Sequence, residues 1–129
     1  VNIFTVEASQ ILALNKFICE EGKNIHGCND PGRIEIAIHS AYYPGAPPFA
    51  AGAIIQISAI LCFYLIKNHI FVDGNKRTAA LIALTLLNLH GFELEYPDTG
   101  KDNFATIVES CAAGDVDKDD LVELNRMRK

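Results

Sequence analysis

Positive charge is scarce in this sequence. Lys and Arg number 11 against 16 Asp and Glu, for a formal net charge of −5. A general nucleic-acid binder needs cations to neutralise phosphates, so this balance excludes that class. It argues equally against docking on anionic lipid. The restriction is global, and a local basic pocket for a small polyanion is compatible with it. Cysteine is sparse and scattered: Cys19, Cys28, Cys62 and Cys111 form no C-x-x-C pair. Disulfide frameworks belong to shorter, loop-rich secreted chains, whereas Cys19 and Cys62 fall inside apolar runs and read as small core hydrophobes. The first residues, VNIFTVEASQ, show neither a basic n-region nor a signal-like apolar core. The expectation is a cytoplasmic protein with reduced thiols. Internal repeats and low-complexity tracts are absent from the sequence.

What is abundant is apolar surface. Half of the 129 residues are hydrophobic and 21% are charged, which excludes a disordered chain. The length predicts one domain, 1–129, able to bury roughly two-thirds of its unfolded surface. From Phe49 to Ile66 no residue is charged, and Gln56 and Ser58 are the only clearly polar ones. This reaches the lower limit of about 18 residues for a membrane span. The run lacks aromatic and basic anchors on both sides, and the next apolar segment is studded with polar residues. A central bundle helix, apolar all round because neighbours surround it, accounts for both segments.

Periodicity and breakers predict an all-α fold. Apolar residues at 11, 12, 14, 17 and 18 place a helix over Ser9–Glu21, stopped by Gly22. Asn24–Asp30 is a polar loop. Asp30-Pro31 combines an N-cap carboxylate with Pro at the first helical position and starts a short helix to about His39. YYPGAPP, Tyr42–Pro48, is too rich in breakers for a helix interior and forms a loop or an extended flap. The long apolar helix then runs to about Asn68, and a loop covers Ile70–Asn75. A helix follows from about Lys76 to His90, ended by Gly91. Phe92–Tyr96 suits a short extended piece or a bare connection, and Asn103–Ala113 and Lys118–Arg128 complete the helices.

The run His69-Ile70-Phe71-Val72-Asp73-Gly74-Asn75-Lys76-Arg77 carries chemistry. It falls where one apolar helix ends and another begins. Gly74 lets the backbone approach a ligand or take positive φ. The following helix start offers unpaired N–H groups and a positive dipole end, a ready anion site. Asn75 adds side-chain donors or caps the helix. Lys76 supplies a point charge and Arg77 a planar fork, both suited to phosphate oxygens. Asp73 is a hard oxygen ligand fit for Mg²⁺. His69 is the side chain best able to take a proton near neutral pH. Singly, each feature is ordinary: a helix-start turn, a solvated basic face, a histidine at a helix end. Together, in order and without gaps, they read as phosphoryl-type transfer, where positioning and charge neutralisation do most of the work.

This run resembles the signature of the Fic/Doc family, H-x-F-x-[D/E]-G-N-[G/K]-R, at every fixed position, with Lys76 in the eighth place as in its Doc (death on curing) members. Asn24–His39, NIHGCNDPGRIEIAIH, is similar to a second Doc segment. It departs at Asn29, where that pattern has Arg, and at Ile36, where it often has Ser. The resemblance covers roughly residues 1–100. It implies a compact, mostly helical bundle with the motif between two central helices. It further implies a toxin that transfers the γ-phosphate of ATP to a threonine of translation elongation factor Tu and arrests translation. Members with Gly in the eighth place usually transfer AMP, which is the alternative. A catalytically idle Fic fold acting as a binding partner is the third reading. Carried over by position, His69 would be the general base and Asp73 would bind Mg²⁺. Gly74 and Asn75 would line the anion hole, Lys76 and Arg77 would hold phosphates, and Phe71 would anchor the loop in the core. The flap that aligns the target would lie at about Tyr42–Phe49.

The resemblance also bears on regulation. Many Fic proteins carry an inhibitory helix with the motif [S/T]-x-x-x-E-[G/N], and no Ser or Thr here has Glu four residues on; Phe17–Gly22 comes nearest. A Doc-type protein would instead be silenced in trans by a small antitoxin whose disordered tail folds on it. The remaining polar residues have blander readings. His26 and His39 do not form metal spacing with His69. His90 favours a helix C-terminus. The acidic series Asp115, Asp117, Asp119 and Asp120 lacks the EF-hand order and suits a helix start.

Overall fold

A computed structural model describes residues 4–43, 53–100 and 102–129. Among these residues the fold is all-α, with six helices and no strand: α1 (Ala8–Gly22), α2 (Gly32–Tyr42), α3 (Ala53–Lys67), α4 (Asn75–Leu89), α5 (Phe104–Ala113) and α6 (Lys118–Arg128). The apolar run is explained by its place. α3 packs against α2, α4, α5 and α6, and Ile55, Ile57, Ala59, Leu61, Cys62 and Leu65 are buried along it. α1 packs on α4 and α2. No helix of the described residues is long and apolar enough to cross a membrane.

Helix ends follow local chemistry, with shifts of one to three residues from the sequence expectation. The stop expected at Gly22 falls one residue later: Gly22 is the last helical residue, and Lys23 takes the left-handed conformation at φ 56°. Asn24 then donates its N–H back to the Cys19 carbonyl at 2.7 Å, closing the last turn. Pro31 is the N-cap of α2 rather than its first helical residue. Asp30 still serves the helix start, because its Oδ1 accepts from the Gly32 N–H at 2.9 Å. α2 continues past His39 to Tyr42, since Ala41 and Tyr42 are buried in the core and reward the extra turn. The flap expected at Tyr42–Phe49 therefore loses its first residue to α2, and from residue 44 onward it lies outside the described residues.

The other polar predictions find physical partners. His90 caps α4, with Nδ1 donating to the Leu86 carbonyl at 2.9 Å. Its Nε2 accepts the Phe4 N–H at 3.2 Å, so both ring nitrogens are engaged. Asp117 and Asp120 form a reciprocal capping box at the start of α6, with Asp119 also in the first turn and Arg126 and Arg128 in the last. Residues 92–96 run as a bare connection, fastened where the Glu95 N–H donates to the Arg128 carbonyl at 2.6 Å.

Candidate active site

The site begins where α3 ends. Asn68 follows the helix, and His69 adopts φ +47°, an uncommon conformation for a residue with a Cβ. The loop α1–α2 and the first turn of α2 hold this turn in place. The Asn29 Nδ2 donates to the His69 carbonyl at 3.0 Å, and the Arg33 Nη1 donates to the Asn68 carbonyl at 2.8 Å. Two backbone bonds join the same segments: Asn29 N–H to Ile70 O at 2.8 Å and Val72 N–H to Gly27 O at 2.9 Å. Cys28 and Phe71 thus form an isolated antiparallel bridge. Ile70 and Phe71 sink into the core, at 0% and 2% exposure, while His69, Val72 and Asp73 stay exposed.

The chain then turns into α4. Gly74 is left-handed at φ +76°, and a Cβ there would meet the Asn15 Nδ2 at 3.1 Å, so both conformation and space require glycine. Asp73 folds back on its own loop, its Oδ1 accepting the Gly74 N–H at 2.8 Å. The Asn75 amide grips Phe71 by both backbone groups. Its Oδ1 accepts from Phe71 N–H at 2.9 Å, and its Nδ2 donates to Phe71 O at 2.8 Å. The Asn75 side chain is thus engaged in holding the loop. Thr78 N–H is the first to bond back into the helix, to Gly74 O at 2.9 Å. The N–H groups of Asn75, Lys76 and Arg77 meet no acceptor among the described residues, as at any helix start.

These three residues line a cleft of about 660 Å³ between α4 and α5, a volume suited to a small-molecule ligand. Its apolar side is lined by Ile66, Ala80, Val108 and Ala112. All six residues singled out for chemistry, His69, Asp73, Gly74, Asn75, Lys76 and Arg77, border it. Lys76 is not idle: its Nζ lies 2.9 Å from each carboxylate oxygen of Glu109 on α5. Arg77 makes no ion pair among the described residues. Beneath the loop, burial and the Asp73 carboxylate raise the pKa of the Cys19 thiol, keeping it protonated. No group of three or more His, Cys, Asp or Glu that could hold a metal occurs among the described residues.

Residues beyond the motif complete the site, and some left a trace in the sequence. Asn15 lies on the buried stripe of α1 with Ile11 and Ile18, and a polar side chain on an apolar stripe is a visible anomaly. Asn29 marks the departure from the Doc pattern and uses its own amide to hold His69. Glu109 left no local signal, because its partner is 33 positions away.

The fold is thus a helical bundle with a histidine, a carboxylate, an open helix start and two cations around one cleft. The model of the Fic/DOC family matches residues 6–87, and the chain belongs to that family. Among curated proteins it is similar to "Toxin Doc" of Mycolicibacterium smegmatis, with 38% identity over 64 residues. That match covers 50% of this chain and 48% of the relative, so it spans about half the length of each.

Proposed function

We propose that this protein is a Doc-type toxin, acting in the cytoplasm, that transfers a phosphate from ATP to a hydroxyl of a protein target. The target class is a translation factor such as elongation factor Tu, with threonine as the acceptor. The observation that carries the reading is the open start of α4. Three consecutive free N–H groups, two cationic side chains and an exposed imidazole border one cleft of about 660 Å³. Helix starts of this kind favour phosphate through both the N–H groups and the dipole. The similarity to a protein named "Toxin Doc" supports the biological half of the reading.

The chain's own residues suggest how the step proceeds. The N–H groups of Asn75, Lys76 and Arg77 receive phosphate oxygens, with Arg77 as a fork and Lys76 as a point charge once Glu109 gives way. His69 accepts the proton of the target hydroxyl as its oxygen bonds to the γ-phosphorus and the bond to the departing ADP breaks. The donor set fits Mg²⁺: the exposed carboxylate of Asp73, the one in the loop itself while Glu109 is paired with Lys76, stands beside the phosphate site, and this ion prefers one or two carboxylates plus phosphate over an all-protein cage. Bound there, Mg²⁺ would neutralise charge on the phosphates. The apolar side of the cleft keeps water away from the transferring group. A small antitoxin acting in trans is the proposed partner that keeps such an activity silent.

The test uses ATP labelled at the α- or the γ-phosphate, incubated with the protein, Mg²⁺ and purified elongation factor Tu. Label on the factor from the γ position alone, lost in His69→Ala, is expected. Label from the α position would replace the reading with AMP transfer. A folded protein that moves neither label and does not slow growth when induced would leave a binding role instead.

A further inference from the structure

Below the loop lies a polar cluster that the proposed chemistry does not use. Asn15 is fully buried at 0% exposure, in the middle of the stripe by which α1 packs on α4. Its Nδ2 donates to the Asp73 carbonyl at 2.9 Å and to the Thr78 Oγ1 at 3.1 Å. Its Oδ1 lies 3.2 Å from His26 Nδ1 and accepts a weak bond from the Cys19 Sγ at 3.7 Å. Thr78 is also fully buried. The same amide marks the floor under Gly74.

Hydrogen-bond logic fixes every orientation here. The Asp73 carbonyl can only accept, so the Asn15 amide must turn its NH₂ toward the loop. Its Oδ1 then can only accept, so His26 must carry a proton on Nδ1. Both the neutral Nδ1–H tautomer and the imidazolium meet that demand. Without Asn15 the Asp73 carbonyl would keep only the Cys19 thiol, 3.7 Å away and a weak donor.

We infer that Asn15 is a positioning residue of the candidate site and that His26 orients it. By holding the Asp73 carbonyl down and bracing Thr78, the amide fixes both ends of the turn. The turn in turn aims the N–H groups of Asn75, Lys76 and Arg77 into the cleft. A buried Leu or Ile at position 15 would serve packing alone, but it would leave the Asp73 carbonyl without its main donor. The assignment of a ligand to those N–H groups rests on the reading under Proposed function; the positioning of the loop does not.

The experiment compares the parent chain with His26→Leu, His26→Asn and Asn15→Ser. His26 is exposed, so its variants keep the fold, and the Asn amide N–H can stand in for the Nδ1–H. The first readout is hydrogen exchange at the backbone N–H groups of Gly74 and Thr78, the hydrogen-bonded ones of the turn, which needs no ligand. Losing one orienting hydrogen bond should speed exchange there about three- to tenfold in His26→Leu and more in Asn15→Ser. His26→Asn should return to within about twofold of the parent. The second readout is the Kd for inorganic tripolyphosphate and for Mg-ATP, expected to weaken by the same factors in His26→Leu and to recover in His26→Asn. Exchange unchanged in His26→Leu and Asn15→Ser, or His26→Asn no better than His26→Leu, would overturn the inference. A parent that binds neither anion, with the exchange pattern as expected, would leave the positioning standing and remove the polyphosphate reading.

Discussion

Replacing Asn75 separates two roles that its sequence position suggests. A side chain that reached a ligand could be removed without harming the free protein. The observed amide instead closes both backbone groups of Phe71, at 2.9 and 2.8 Å, on a residue only 2% exposed. In Asn75→Ala both bonds vanish, and water reaches the Phe71 backbone poorly. Each lost bond is worth about 0.5–1.5 kcal/mol, with more where a buried group stays unpaired, so the fold should lose about 2–3 kcal/mol. Each kcal/mol corresponds to about 4 °C in a chain of this length. Urea unfolding followed by circular dichroism should show a lower midpoint at an unchanged m-value. Asn75→Asp sharpens the test. Its carboxylate can still accept from Phe71 N–H, but its second oxygen faces the Phe71 carbonyl, acceptor against acceptor. That repulsion raises the pKa of the introduced carboxyl in the folded state. Stability is then fullest below the unfolded value of about 4, where a protonated oxygen can donate, and is lost as pH rises through the raised folded pKa. A loss under about 0.5 kcal/mol in Asn75→Ala, or no recovery of Asn75→Asp in acid, would refute the reasoning.

Other outcomes follow from the same structure. Cys19, Cys62 and Cys111 are buried while Cys28 is half-exposed, and burial pushes the Cys62 thiol up and the Cys111 thiol up to about 11. Iodoacetamide at pH 8 should therefore label Cys28 alone in the native protein and all four cysteines only in urea, as mass spectrometry would show. Burial also pushes the Tyr96 hydroxyl up to about 12, against an opposing pull from Arg128. Groups raised in the folded state favour folding below their unfolded values, so stability should fall as pH climbs from about 9 to about 12. A flat alkaline limb in a urea-midpoint series would contradict this. The Lys76–Glu109 pair is 47% and 64% exposed, so Glu109→Gln should change stability by less than about 1 kcal/mol. By freeing Lys76 the same substitution should tighten tripolyphosphate binding several-fold at low salt, an effect that calorimetry should see fade as salt rises.

Much of this architecture is legible in the sequence because its signals are local. The breakers around residues 22–31 and 91–103 separate apolar stretches whose period is helical, and the observed helices differ from those expectations mainly by a residue or so at their ends. The ends moved for reasons outside the local window: Tyr42 stays helical because the core takes it in, and Lys23 turns left-handed where Gly22 was available. The stripe of α1 shows the limit of counting apolar residues. Phe17 belongs to the pattern but is 59% exposed, whereas the polar Asn15 is fully buried. The motif loop is readable as a run of residue types, but its supports are not. Asn29, Arg33 and Glu109 reach it across 33 to 40 positions of chain, and only the folded packing of α2, α3, α4 and α5 brings them there.

The left-handed turn at His69 sets stability against use. A residue with a Cβ at φ +47° carries a strain of about 1–2 kcal/mol that glycine would not. The bundle therefore gains firmness by giving up the one imidazole in its cleft. Laboratory evolution for heat resistance, run without a screen for activity, would be drawn to position 69 among the first. Its hardiest survivors would keep the fold, the cleft and the open helix start, and, on the role proposed for His69, would be disarmed.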